Sequence, residues 1–212
     1  MVGSPVWVRR GDIDFPRGTV GALATNAAGV WLLSANHVLA GNGSRLPVDG
    51  VYVNGESVSR TVVFTPLQRS GNRADAAACL LPPATRPHWP PGWTPIAQPH
   101  LPPLRTKVKV FAAGQDRFGV VSHRGTSSVA MHQARLAGGL NEVEFCDCLL
   151  VRTTDPLFKK PGNSGSLVVT AADCRPIGLI AGTSIEHGSN YVVISLLGQV
   201  LHGLKLSNQI LL

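Results

Sequence analysis

The chain is short of charge, of aromatic rings and of any long apolar run. Only 15% of its 212 residues are charged and 6% aromatic, against 44% hydrophobic. That balance excludes a disordered chain, which would combine low hydrophobicity with high charge. No apolar stretch approaches the ~20 unbroken residues of a membrane helix, so no membrane partner is expected. Acidic residues are few as well, 12 against 19 Lys and Arg, which leaves a net charge of +7. The cations are scattered, as in Arg9-Arg10, Arg60, Arg69, Arg73, Lys107, Lys109 and Lys159-Lys160. With no basic helix or aromatic-basic alternation to gather them, they read as a solvated surface, and no nucleic-acid partner is expected.

Cysteine is scarce too, with four in the chain. Cys146 and Cys148 are too close on an extended strand to bridge each other. A Cys-x-Cys metal clip completed by Cys174 and a histidine would need a second closely spaced ligand pair, and the sequence offers none. All four read as thiols filling core space, with no metal and no cofactor implied. The first residues, Met1-Val2-Gly3-Ser4-Pro5-Val6-Trp7-Val8-Arg9-Arg10, lack the basic start, apolar core and small-residue cleavage site of a secretory signal. With Met1 as the native start, the expectation is a cytoplasmic protein.

What the chain has in quantity is glycine, 23 residues, and proline, 16. That usage suits many short strands joined by turns and predicts an all-β fold. Thr19–Thr25 and Val30–Ala35, joined by a turn over Asn26–Gly29, read as a hairpin. Val51–Val53, Ser57–Phe64 and Ala74–Leu81 follow as strands, the last because it is short and runs into prolines despite its alanine content. Residues 82–103 hold nine of the 16 prolines, so they cannot run inside a sheet and are expected to link two halves over the surface. In the second half Lys107–Ala112, Gly119–Ser122, Asn141–Val151, Leu167–Thr170, Ile177–Ala181 and Tyr191–Ile194 read as strands. Ser195 reads as the cap of one short terminal helix over Leu196–Gly203.

Two places carry chemistry. Ser164 lies in Pro161-Gly162-Asn163-Ser164-Gly165-Ser166, a glycine-flanked turn that can expose a hydroxyl and offer backbone N–H groups to an oxyanion. His37 ends the apolar run Val30–Ala35, where a buried strand can hold a base. Asp75, in Ala74-Asp75-Ala76-Ala77, precedes an apolar strand; among the other aspartates between or near the two, Asp49 lies in a Pro-Val-Asp-Gly turn and Asp116, Asp147 and Asp155 fall in the second half.

Ala35-Asn36-His37-Val38-Leu39, Ala74-Asp75-Ala76-Ala77 and Gly162-Asn163-Ser164-Gly165-Ser166, in that order, resemble the histidine, aspartate and serine segments of chymotrypsin/trypsin-like serine proteases, with bacterial trypsin-like peptidases the nearest in pattern. Chain order separates this family from subtilisins and α/β-hydrolases. The resemblance implies two six-stranded antiparallel β-barrels of the chymotrypsin type with a short C-terminal helix. One barrel over residues 1–81 would carry His37 and Asp75, and one over 104–212 would carry Ser164, joined by the proline-rich linker 82–103. It implies a serine endopeptidase with Ser164 as nucleophile, His37 as base, Asp75 holding the imidazole, and the N–H groups of Gly162 and Ser164 as oxyanion hole. A protein or peptide substrate follows. A catalytically silent binding module or an esterase of the same mechanism are the alternatives.

The family's zymogens carry an aspartate before the nucleophile, which pairs with a newly cut N-terminal amine. Asn163 cannot make that ion pair. The site is therefore expected to be either constitutively competent or ordered by an activating protein partner acting on the loop Thr153–Pro161, as in a regulated bacterial defence or stress protease. The specificity pocket is expected to be walled by the segment before Ser164 and by Ile180, Ala181, Gly182 and Thr183. Phe158 at its base would favour an apolar or small residue at P1, the substrate position just before the scissile bond; Asp155 there would instead select a basic one. Glu186 and His187 are further candidates. Lys159-Lys160 is expected on an exposed loop, with a cationic rim for acidic substrate residues as the other reading.

Overall fold

The alternation Val6-x-Val8 and Val51-x-Val53 gives each segment one apolar face, and the pairing of β1 (Pro5–Arg10) with β6 (Gly50–Val53) places Val6 opposite Val53 and Val8 opposite Val51. All four are buried. The computed structural model describes residues 1–10, 13–14, 18–41, 48–83, 85, 88, 90–93, 98–112, 114–130 and 142–206. Around β1 a first sheet gathers β2 (Ile13–Asp14), β3 (Gly18–Thr19), β6 and β7 (Glu56–Ser59). A second sheet runs in the order β4 (Ala22–Asn26), β5 (Gly29–Ser34), β9 (Ala77–Leu80) and β8 (Val62–Phe64). The β4–β5 hairpin turns at Ala27-Ala28, where Asn26 Oδ1 accepts from the Ala28 N–H and from Trp31 Nε1.

Among the described residues the first half forms two sheets, and no ladder pairs β3 with β4 or β7 with β8. Their inner faces share one core, in which Val6, Val8 and Val51 meet Leu23, Leu32 and Cys79.

The second half closes. β10 (Lys107–Ala112), β11 (Gln115–Ala130), β12 (Glu142–Arg152), β15 (Tyr191–Leu196), β14 (Pro176–Thr183) and β13 (Leu167–Thr170) form a six-stranded barrel in that order. Its interior is filled by β-branched residues such as Val108, Val121, Val168, Ile177 and Ile194 around Phe158. β11 is far longer than the Gly119–Ser122 segment expected, because bulges at Val121/His123 and Gly125/Ser127 let its polar residues continue the ladder to Ala130. No strand occurs in the described part of 82–103. Trp93 is instead buried there, donating to Asp116 and meeting Phe111 edge-on.

The terminal helix α2 (Leu197–Gly203) has Leu196 at its N-cap and no side-chain cap. Ser195 is the penultimate residue of β15 and its hydroxyl accepts from the Asp75 N–H at 2.9 Å. The expected cap is therefore a link to the candidate site. α2 packs Leu197, Val200 and Leu201 into a core containing Ala22, Leu33 and Ala78 of the first half and Leu167, Val169 and Leu179 of the barrel. That shared core sets the two halves edge to edge, with the loops after β5 and before β13 and β9 brought to one seam.

Candidate active site

Ser34 ends β5, and Ala35 starts a four-residue helix α1 (Asn36–Leu39) that turns His37 toward Asp75. Asn36 Nδ2 donates to the Thr65 carbonyl at 2.5 Å and fixes that turn. Asp75 Oδ2 lies 2.5 Å from His37 Nδ1, and Oδ1 accepts the His37 backbone N–H at 3.2 Å. The carboxylate is fully buried. Its oxygens thus hold the imidazole and the backbone that carries it, while the Ser195 hydroxyl holds the Asp75 backbone from behind. A proton on Nδ1 would be donated to this carboxylate, and Nε2 would then be the ring nitrogen able to accept one.

Ser164 and His37 border the same cavity, of about 290 Å³, on the barrel side of the seam. No hydrogen bond of the described residues joins the Ser164 hydroxyl to the ring; such contacts tighten when substrate arrives. The turn itself is shaped by Gly162 at φ 99 and Gly165 at φ 85, a region that favours glycine. Within it Asn163 N–H donates to Lys160 O, Gly165 N–H to Ile180 O and Ser166 N–H to Asn163 O. The N–H groups of Gly162 and Ser164 have no protein acceptor among the described residues. They are the pair named as oxyanion donors, and both residues border the cavity.

Asn163 takes a part of its own. Its side-chain amide donates to the carbonyls of Leu157 and Phe158, at 2.5 and 3.2 Å. A neutral amide thereby ties the nucleophile turn to its own preceding loop. Thr19, which no motif singles out, ties the same turn to the first half. Its hydroxyl donates to Gly162 O at 2.7 Å, its N–H to Ser164 O at 2.9 Å, and its carbonyl accepts from Ser34 at 2.8 Å. Thr19→Val keeps the shape of the side chain and removes the first of these. It is expected to lower kcat about tenfold with KM little changed, since a net hydrogen bond is worth about 1–1.5 kcal/mol. Steady-state kinetics check this, and Thr19→Ser should restore the rate.

Ile180, Ala181, Gly182 and Thr183 line the cavity, joined by Val129, Ala130 and Val192. Phe158 also lines it, but the residue is fully buried and its ring packs in the barrel core. The ring thus belongs both to the cavity wall and to the barrel core. Asp155 is absent from the lining; its carboxylate faces Arg117 at 3.8 Å and accepts the Leu157 N–H. Glu186 is absent as well. It accepts from Ser127 Oγ and from the Ser128 N–H, which joins β11 to the loop after β14. Partial burial works against its charge, but the hydrogen bonds from Ser128 and Ser127 outweigh that and hold its carboxyl down at about 2. His187 stacks on His123 at 5.6 Å, outside the lining residues. Lys159 and Lys160, expected on an exposed loop, both line the cavity.

The described residues contain no cluster of His, Cys, Asp or Glu able to hold a metal ion. Cys79, Cys148 and Cys174 are buried and Cys146 half-buried, all as free thiols. Burial pushes the Cys79 thiol up to about 12 and that of Cys148 to about 11, so neither is a nucleophile near neutral pH.

No protein-family model matches the chain, and no curated protein matches it in sequence. Solved structures do match in fold. A glutamic acid specific serine protease that uses a histidine triad in substrate binding superposes with a TM-score of 0.68 at 13% identity, over 99% of each chain. The Nocardiopsis protease NAPase gives 0.61 at 18% identity over 99% of this chain and 97% of its own. Thermobifida fusca protease A gives 0.62 at 15% identity over 100% and 97%. The architecture is therefore that of chymotrypsin-like serine proteases, end to end.

Proposed function

We propose that this chain is a serine endopeptidase that cleaves peptide bonds through His37, Asp75 and Ser164 and an acyl-enzyme. The observation that carries this is the buried Asp75 carboxylate bonded to both the ring and the backbone of His37, at a cavity that His37 shares with Ser164 and with two N–H groups lacking acceptors. In this reading His37 Nε2 takes the Ser164 proton as the hydroxyl attacks the scissile carbonyl. Asp75 stabilises the imidazolium, and the N–H groups of Gly162 and Ser164 bind the oxyanion. The imidazolium then protonates the leaving amine, and water repeats the cycle on the ester. An oxyanion donor of this kind is worth about 3 kcal/mol of transition-state stabilisation.

The bonds from Asn163 to Leu157 and Phe158 favour a site that is competent as folded over one in which a partner orders the loop Thr153–Pro161. The test is incubation of the folded protein with a fluorophosphonate, followed by intact mass and peptide mapping. One adduct on Ser164, absent after denaturation, is the expected result, together with cleavage of unstructured protein substrates. A folded protein that takes no adduct would be a silent module instead. Adduct formation with ester but no amide turnover would make it an esterase.

A further inference from the structure

We infer that the cavity beside Ser164 receives an acidic side chain, and that Lys159 is the residue that selects it. This rests on the endopeptidase reading and adds to it the substrate class.

Among the described residues, those with charged side chains that line the cavity are, apart from His37, Lys159 and Lys160. Lys159 is half-buried and its ammonium is anchored, donating to Ser189 O at 2.8 Å and to Asn190 Oδ1 at 2.9 Å. Both acceptors are neutral. An ammonium has three donors, so one N–H and the full positive charge remain available. Neither lysine has a carboxylate within ion-pair distance among the described residues. Asp155 and Glu186, the acidic residues of the loops that carry Lys159 and its acceptors, are engaged elsewhere: Asp155 with Arg117 and the Leu157 N–H, Glu186 with Ser127 and Ser128.

The other described lining residues are mostly apolar or small, with Val129, Ile180 and Val192 among them. That combination fits the methylenes of glutamate along the walls with its carboxylate on the ammonium, a charge-assisted bond roughly twice as strong as a neutral one. A lysine or arginine substrate residue would meet two like charges. A purely apolar one would bring no acceptor to the N–H that Lys159 leaves free and would gain nothing from its charge. Lys160 is exposed and adds charge at the rim without a fixed geometry.

The test uses peptides that are identical except for Glu, Gln, Leu or Lys at P1. Glu against Gln changes the charge and little of the shape. The expected result is kcat/KM at least tenfold higher for Glu than for Gln, with Lys159→Met bringing that ratio near one, Lys159→Arg retaining most of it, and Lys160→Met lowering it by a smaller factor. Equal or faster cleavage after Gln, Leu or Lys by the wild type would overturn the inference and leave the endopeptidase reading standing. So would a Glu/Gln ratio unmoved by Lys159→Met in a protein with unchanged circular dichroism. The same peptides are titrated onto Ser164→Ala by calorimetry. Should no peptide be cleaved and no fluorophosphonate adduct form, the endopeptidase reading falls; tighter binding of the Glu peptide than of the Gln peptide would still support an acid-selecting cavity, and equal binding would overturn it.

Discussion

Asp75→Asn is expected to lower kcat for peptide hydrolysis by about 10⁴-fold, as the same exchange does in the chymotrypsin triad, with the fold retained. The reason lies in two contacts of one carboxylate. Asp75 Oδ1 accepts the His37 backbone N–H and Oδ2 faces the ring Nδ1. An asparagine has one acceptor oxygen and one amide donor. Keeping its oxygen on the backbone N–H puts the NH₂ against Nδ1, which must then be unprotonated. The ring proton moves to Nε2, where the base has to receive the Ser164 proton. The variant should therefore be nearly as well packed as the parent and almost inactive at neutral pH. Turnover within tenfold of wild type, in a variant shown by circular dichroism to be folded, would remove Asp75 from the mechanism.

Gly165→Ala should unfold or cripple the protein through sterics alone. Gly165 has φ 85, and a Cβ built there would lie 2.1 Å from Ser34 Oγ, 2.8 Å from Thr19 O and 2.9 Å from Ala35 N. The last two are backbone atoms of the first half and cannot rotate away. Gly21 presses on the same point from the other side, since its own Cβ would stand 2.1 Å from Gly165 O. Backbone strain at positive φ costs about 1–3 kcal/mol, and overpacking adds about 1–3 kcal/mol. For a chain of this length that sum corresponds to a fall in Tm of roughly 5–20 °C. Gly55→Ala is the control: φ is 90 but nothing lies within 4 Å of the added carbon, so it carries the backbone part only. Thermal melts of the two variants side by side test the account, and equal shifts would mean that the seam yields more readily than its backbone contacts imply. Any Gly165→Ala protein that folds should have lost most of its activity, because the residue follows Ser164 directly and its N–H is fixed on Ile180 O.

How far the site is legible in the sequence differs from residue to residue. His37 and Ser164 stand in segments whose neighbours repeat a family's pattern, so their types and order mark them as candidates, and the structure sets both at one cavity. Asp75 could be selected because it precedes an apolar strand, now β9. Thr19 had no such mark. It lies 143 residues from Gly162 in the chain, and only the meeting of the two halves gives its hydroxyl a carbonyl to bond. Ser195 was misread as a helix cap because serine before an apolar run is a common cap signal, whereas its strand carries it inward to Asp75. The pocket was the least legible part. Phe158 borders the cavity while its ring packs in the barrel core, and burial of that ring is worth about 2–3 kcal/mol; neither feature could be read from its position in the chain.

The sequence by itself determined the class of fold and the residues on which the proposed triad rests. Glycine and proline placement, period-two apolar patterning and two short motifs are local properties, and local backbone preferences answer to them. Tertiary structure alone decided how the strands of the first half divide into sheets, which residues line the cavity, and that the described ones include two lysines and no carboxylate. Those outcomes depend on which strand edges meet and on where a loop finds its hydrogen-bond acceptors, as Lys159 does at Ser189 and Asn190, 30 and 31 residues away. Such contacts are energies between distant segments, and they exist only once the shared core has brought the segments together.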